Sequence, residues 1–458
     1  MRPRNIPLLL AVFACNSDFV FSTLLRIKNP YLTTNWLVLP PVVLYVLLTR
    51  RVDLATFTRK QLPIVIAFAA CIICQLYNGS SLGEANVASV GMTIGVKQIA
   101  TCLITFLLFH ELISDEGDVR SFLTYTAVST AINAFLLVAV ARGLLPSING
   151  VGWVGDTRVT RFGLGDPNIT FCYMAIGAAY WLVLADKRAM LNRRDVMLSI
   201  LCFAGALLPV ILGLSRGAFA ALALSAFLGV LLLAWSFGLG SLYKYSLAAL
   251  VLAALAATQI DGHRVQLFVE RVQQISHDFT PGRAQRAESS SQRLFSLEWL
   301  VKDIVTSPDL YGEGYGAWFE ETLYGRYPHF TPADVYIIGG IVPLLALVYS
   351  LTWNMWRLFH DLRPEPDPEV RASNLALCVF VVALLLMTLT VSIAWLKMIW
   401  VVFAVMVRAN MLTAERRQAA LAASMTDEPP VADQPVGVVA QGAVMAAAPD
   451  GTALFGEE

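Results

Sequence analysis

The sequence predicts an all-α integral membrane protein of about twelve transmembrane helices, with a large, partly helical loop outside the membrane between the ninth and tenth. Three observations lead there. Of 458 residues, 57% are hydrophobic and 14% charged, where soluble domains carry about 25% charged residues. The apolar residues are gathered into long runs: Asn29 to Thr49, Gln61 to Gly83, Ser121 to Ala141, Val196 to Ser215, Gly217 to Tyr243, Val335 to Trp356 and Ala372 to Leu396 contain no Asp, Glu, Lys or Arg. Those runs also lack the polar stripe every three or four residues that a helix on a soluble core carries.

A helix needs about 20 mostly apolar residues to cross hydrocarbon, where unsatisfied backbone groups and ions are costly. By that criterion the spans fall near 6–25, 31–49, 62–78, 87–109, 120–141 and 167–185, then 196–213, 217–237, 241–259, 334–355, 373–392 and 394–410. Arg2 and Arg4 precede the first run, which reads as an uncleaved first helix. Residues 1–410 form one polytopic membrane domain on this reading. The remainder, 411–458, is rich in Ala, Pro, Gly and Val with few large residues, and is expected to be a disordered cytoplasmic tail.

Orientation follows from the short loops that hold Lys and Arg. Placing the N-terminus in the cytoplasm puts Arg50, Arg51, Arg59 and Lys60 inside, with Lys187, Arg188, Arg193, Arg194, Arg357, Arg363, Arg371, Arg416 and Arg417. The expected location is a bacterial inner membrane, with both termini cytoplasmic and periplasmic loops at about 142–166 and 260–333. Lys plus Arg and Asp plus Glu each number 33, so net charge is zero and the electrostatic footprint of a nucleic-acid binder is missing.

All seven cysteines lie in apolar runs. Cys71 and Cys74 make a C-x-x-C pair on an expected membrane helix, where small apolar packing residues are the plain reading. Neither an Asp-x-Asp pair nor a His-rich cluster suggests a metal, and no cofactor is expected.

The first outside loop carries Asp156, Arg158, Arg161 and Asp166 among several glycines. In the second, Ser289 to Thr306 reads as an amphipathic helix, with Leu294, Leu297, Leu300, Val301 and Ile304 at helical spacing and Pro308 beyond its end. Gly312, Gly314 and Gly316 follow, a spacing that lets the backbone approach something closely or makes a flexible turn.

Ionisable residues in or beside spans are site candidates because they are expensive there. Arg216 stands between two charge-free runs, where a guanidinium can grip a phosphate bidentately or anchor the helix. Asp18, Lys97 and Lys397 are further intramembrane charges, suited to pairing with one another or lining a cavity. Asp334 falls where the external loop enters the tenth span, five residues after His329.

The Leu214-Ser215-Arg216-Gly217-Ala218 turn resembles the signature of the O-antigen ligase and polymerase (WaaL/Wzy-type) superfamily. Arg293, with Trp299 six positions on, leads through Pro308 to the glycines 312, 314 and 316 in a similar way. His329 and Gly340 occupy the places of the family's loop histidine and of the glycine in the helix that follows. Gly165-Asp166-Pro167-Asn168 resembles a further family element.

The resemblance implies a metal-independent, inverting membrane glycosyltransferase acting at the periplasmic face. Its donor is an undecaprenyl-diphosphate-linked glycan and its acceptor another glycan or lipid A-core; membrane lipids surround it. Arg216 and Arg293, supported by Arg158 or Arg161, would neutralise the diphosphate in place of a metal. His329 would position or deprotonate the acceptor hydroxyl, and Asp334 would orient the histidine. The apolar helices flanking Ser215 would hold the polyprenyl tail. The main alternative from another class is a twelve-helix secondary transporter, which predicts similar halves and broken helices near the bilayer midplane. A non-catalytic scaffold is a third reading; it has no need of clustered external arginines.

Overall fold

The computed structural model describes residues 5–16, 34–49, 57, 60–78, 85–141, 152–154, 159–161, 298–314, 331–362, 365–388 and 397–426, with isolated positions 224, 227–228, 231–232, 234–235, 266 and 269–270. The expected spans between 167 and 259 and the tail beyond 426 lie outside the described residues, those isolated positions apart. The chain divides into two units, Met1–Thr413 and Ala414–Glu458. All packing described below belongs to the first. In the second, residues through Thr426 are helical.

The described helices are α1 (Ile6–Asn16), α2 (Thr34–Thr49), α3 (Leu62–Asn78), α4 (Ala85–Leu112), α5 (Glu116–Ala141), α6 (Thr331–Gly339), α7 (Ile341–Leu362), α8 (Pro368–Thr388) and α9 (Lys397–Thr426). Three segments among the described residues are long and apolar enough to cross a membrane: Gly95–Leu112, Pro368–Leu386 and Lys397–Ala422. By length and composition these make the chain a membrane protein. Ile6–Cys15, Leu37–Thr49 and Leu62–Tyr77 are shorter apolar helices.

The architecture is not purely helical. In the first glycine-rich loop, Gly152–Val154 and Val159–Arg161 pair as an antiparallel hairpin, β1 and β2, with Gly152 opposite Arg161 and Trp153 opposite Thr160. Val154, Val159 and Thr160 are β-branched and suit a strand. A second difference concerns the tenth span. An unbroken helix over 334–355 is expected from its apolar run, whereas the chain forms two helices, α6 and α7, interrupted at Gly340. The last helix also continues past 410, to Thr426.

Local chemistry sets the helix starts. Asp115 accepts the Asp118 amide at 2.9 Å, and the Asp118 carboxylate reaches back to the Ser114 amide at 2.9 Å, a reciprocal cap on α5. Asp367 caps α8 by accepting the Glu369 amide at 2.7 Å, with Pro368 at the first helical position, where its missing N–H costs nothing. Thr101, Thr105 and Thr130 return their hydroxyls to the carbonyls four residues earlier, at 2.6, 2.7 and 2.7 Å. That keeps polar groups satisfied inside apolar helices.

In lipid, helices associate through close packing and interhelical hydrogen bonds, because lipid tails are as apolar as leucine. Phe106, Phe109, Phe122 and Phe380 are fully buried in the main cluster. Phe106 meets Phe403 edge-on at 5.7 Å, Phe109 meets Phe122 at 6.1 Å, and Phe68 lies 4.5 Å from Trp400. A polar seam joins α7 to α9. The Asn410 side-chain amide donates to the Asn354 carbonyl at 2.8 Å, and Asn354 donates to the Ser350 carbonyl at 2.8 Å, all three residues being buried.

The opposite face of α7 is exposed and aromatic. Tyr349 stacks on Trp353 at 6.5 Å, Trp353 on Trp356 at 5.3 Å, and Trp356 lies 5.3 Å from His360. The Arg357 guanidinium sits 5.7 Å from the Trp353 ring centre.

Candidate functional site

The interruption at Gly340 is where the segment 298–314 meets α6 and α7. A break in a buried helix orphans the last carbonyls of one half and the first amides of the other. Here the partners are supplied. The Gly340 amide returns to the Tyr336 carbonyl at 2.7 Å, with Gly340 itself at φ 83°, the left-handed closure that ends a helix. The Glu313 amide takes the Ile337 carbonyl at 2.7 Å, and the Asp309 carbonyl accepts the Ile341 amide at 2.8 Å. From the other side, the Cys74 thiol of α3 donates to the Gly339 carbonyl at 3.6 Å.

The segment that fills the break carries the glycine run. Gly312, at φ 62°, packs so closely that a β-carbon would lie 2.4 Å from the Gly340 nitrogen and 2.7 Å from the Gly339 nitrogen. A β-carbon on Gly340 would lie 2.5 Å from the Leu310 carbonyl oxygen. Gly314 has φ 84°. What Gly312 approaches is therefore the chain's own helix break.

Residues 298–306 are helical and precede this segment. They rest on α6 and α7 through a small apolar cluster of Leu300, Ala333, Val335, Tyr336, Ile341 and Leu344. Tyr336 is the joint. Its hydroxyl donates to Asp303 Oδ2 at 2.5 Å and accepts the Asp309 amide at 2.9 Å, while its ring meets Trp299 edge-on at 6.2 Å. Asp309 Oδ1 also accepts the Tyr311 amide at 3.1 Å, which tightens the turn.

Of the residues singled out from sequence, Asp334 lies in the first turn of α6 and is 1% exposed. A carboxylate there complements the positive end of the helix, and Pro332 suits the same turn. Gly312 and Gly314 are placed as above. Arg161 ends β2. Arg158, Arg216, Arg293, Gly316 and His329 lie outside the described residues, as does Asp18. Lys97 lies on α4 and Lys397 begins α9.

An apolar groove adjoins the start of α6. It has a volume of about 120 Å³ and runs between α7, α8 and α9, with Thr331 and Pro332 among its lining residues and Leu347, Leu384 and Phe403 along its walls. Thr331 is two residues past His329 in sequence. A groove lined almost entirely by apolar side chains suits hydrocarbon better than water. Among the described residues, no group of three or more His, Cys, Asp or Glu side chains comes together to hold a metal ion.

Tyr336, Asp303 and the Gly339 carbonyl were not candidates on sequence. The Gly339-Gly340 pair followed by Pro343 was the available signal, since such residues punctuate helices. No family model matches the chain, and no curated protein matches it in sequence.

Proposed function

We propose that the chain is a polytopic inner-membrane glycosyltransferase of the O-antigen ligase or polymerase type, with about twelve spans, both termini cytoplasmic and the two large loops periplasmic. The observation that carries the reading is the meeting of Gly312 with Gly340. The glycine run that follows Arg293 and the glycine that follows His329 are two of the four elements of the sequence resemblance, and they touch. The groove lined by Thr331, two residues after His329 in sequence, adds a place for a carrier lipid's hydrocarbon.

In the proposed reaction, an acceptor hydroxyl oxygen attacks the anomeric carbon of the lipid-linked glycan. The new C–O bond forms as the bond to the diphosphate breaks, with inversion. The hydroxyl proton passes to His329, and the diphosphate leaves on the carrier with its charge met by Arg216 and Arg293. Arg158 or Arg161 supports them, and Asp334 orients the histidine.

A transporter of broken helices aims free half-helix ends at its substrate. The ends at Gly340 are instead met by the backbone of Asp309 and Glu313, so the break favours a rigid docking point.

The test is mutational. Arg216→Ala, Arg293→Ala and His329→Ala each abolish surface-glycan assembly while the protein inserts at normal levels. Wild-type glycan output from all three variants overturns the assignment.

A further inference from the structure

We infer that Tyr336 is a positioning residue for this reaction, acting through a hydrogen-bonded clasp with Asp303 and Asp309; the inference rests on the roles given above to Arg293 and His329. One side-chain bond joins the 298–306 helix, which begins five residues after Arg293 in sequence (298 − 293), to α6, which begins two residues after His329 (331 − 329). The 2.5 Å separation between the Tyr336 hydroxyl and Asp303 Oδ2 lies in the range of a charge-assisted O–H to carboxylate bond.

The same hydroxyl accepts the Asp309 amide at 2.9 Å, so it is used as donor and as acceptor at once. Phenylalanine would serve equally well for packing against Trp299, Leu300 and Ala333. A buried hydroxyl is retained at a cost unless it is bonded, and this one is bonded to both parts of the loop that must be held.

The Asp309–Ile341 and Glu313–Ile337 backbone bonds also tie this segment down. They fix the loop against the helix break but leave the tilt of the 298–306 helix to its side chains. Leu300 and Ile304 pack that helix against α6 and α7, and the Tyr336 hydroxyl adds a directional restraint that apolar contacts lack. Its loss would let the 298–306 helix rotate relative to α6. A displacement of about 1 Å at reacting groups costs about 100-fold in rate.

The experiment uses full-length protein in membranes, undecaprenyl-diphosphate-linked glycan extracted from the host lacking this gene, and turnover per folded molecule. Tyr336→Phe lowers kcat about 10- to 100-fold and leaves the donor KM unchanged. Asp303→Ala matches it, the double variant is no worse than either single one, and Asp303→Asn, which keeps an acceptor for the hydroxyl, recovers most of the turnover. Unchanged kcat in Tyr336→Phe alongside dead Arg293→Ala and His329→Ala overturns the clasp and leaves the proposed function standing. A loss confined to the quantity of folded protein also overturns it, because the role is then structural. Full activity in Arg293→Ala and His329→Ala overturns the proposed function, and the clasp with it.

Discussion

Gly312 and Gly340 meet backbone to backbone, and neither position has room for a β-carbon: 2.4 Å from the Gly340 nitrogen in one direction, 2.5 Å from the Leu310 carbonyl oxygen in the other. Both residues also hold left-handed backbone, at φ 62° and 83°. Steric exclusion and conformation thus demand glycine twice over at one contact.

Alanine at Gly312 or Gly340 is therefore expected to destabilise the protein by about 2–4 kcal/mol, combining left-handed strain with overpacking against backbone that cannot retreat. Gly339→Ala should be milder. Its β-carbon would meet Pro343 at 2.5 Å and the Cys71 sulfur at 2.7 Å, both side-chain atoms, and Cys71→Ala should recover part of the loss. Melting in detergent, followed by a thiol-reactive dye on the buried cysteines, reads all four variants. A Gly312→Ala protein that melts like wild type would show that the contact is looser than described.

The Asn410–Asn354 seam makes a second prediction. Asn410→Ala removes the 2.8 Å bond to the Asn354 carbonyl and should cost about 1 kcal/mol, the usual net worth of a side-chain hydrogen bond. The same thermal assay resolves it. A loss of several kcal/mol would mean that the seam holds more than these two helices.

Arg120 and Glu369 offer a contrast. Their 2.7 Å bridge joins side chains that are 36% and 52% exposed, so solvent screens it. Arg120→Ala and Glu369→Ala should each shift stability by less than about 1 kcal/mol and leave glycan output unchanged. A large effect from either would point to a role beyond the pair.

If the groove between α7, α8 and α9 holds the donor's hydrocarbon, Leu384→Phe narrows it from one wall. The expected result is a raised KM for the lipid-linked donor with kcat nearly preserved, because the lost contact serves binding rather than the reacting atoms. An unchanged KM would place the tail elsewhere.

Removing the gene separates the two activities that the reading leaves open. Long glycans stranded on the carrier lipid would identify a ligase, and single repeat units a polymerase. Normal glycans in the deletion strain would exclude both.

The apolar runs made the membrane class legible, since hydrocarbon tolerates so few residue types. The break at Gly340 was harder to read. Val335 to Trp356 is charge-free throughout, and length and hydropathy average over two glycines. Tyr336 shows a different limit. Within an apolar run it reads as one more aromatic, and nothing local reveals an acceptor 33 positions earlier at Asp303. The spacing of the glycines at 312, 314 and 316 allowed a close approach or a flexible turn and did not choose between them. What they approach lies 28 residues on (340 − 312), and spacing says nothing of that. Cys71 and Cys74 were legible as packing residues. That one of them caps a carbonyl of a neighbouring helix depends on how α3 lies against α6 and α7.

In the proposed topology the aromatic face of α7 also works as a ruler. Tryptophans on a lipid-facing helix settle at the headgroup layer, and Trp353 and Trp356 are 44% and 54% exposed. Sixteen residues separate Trp356 from Gly340 (356 − 340), which at helical rise is about 24 Å, most of the roughly 30 Å of hydrocarbon. In the proposed topology, rings anchored at one boundary would set the glycine junction near the other, where the proposed lipid-borne donor and its acceptor could both arrive.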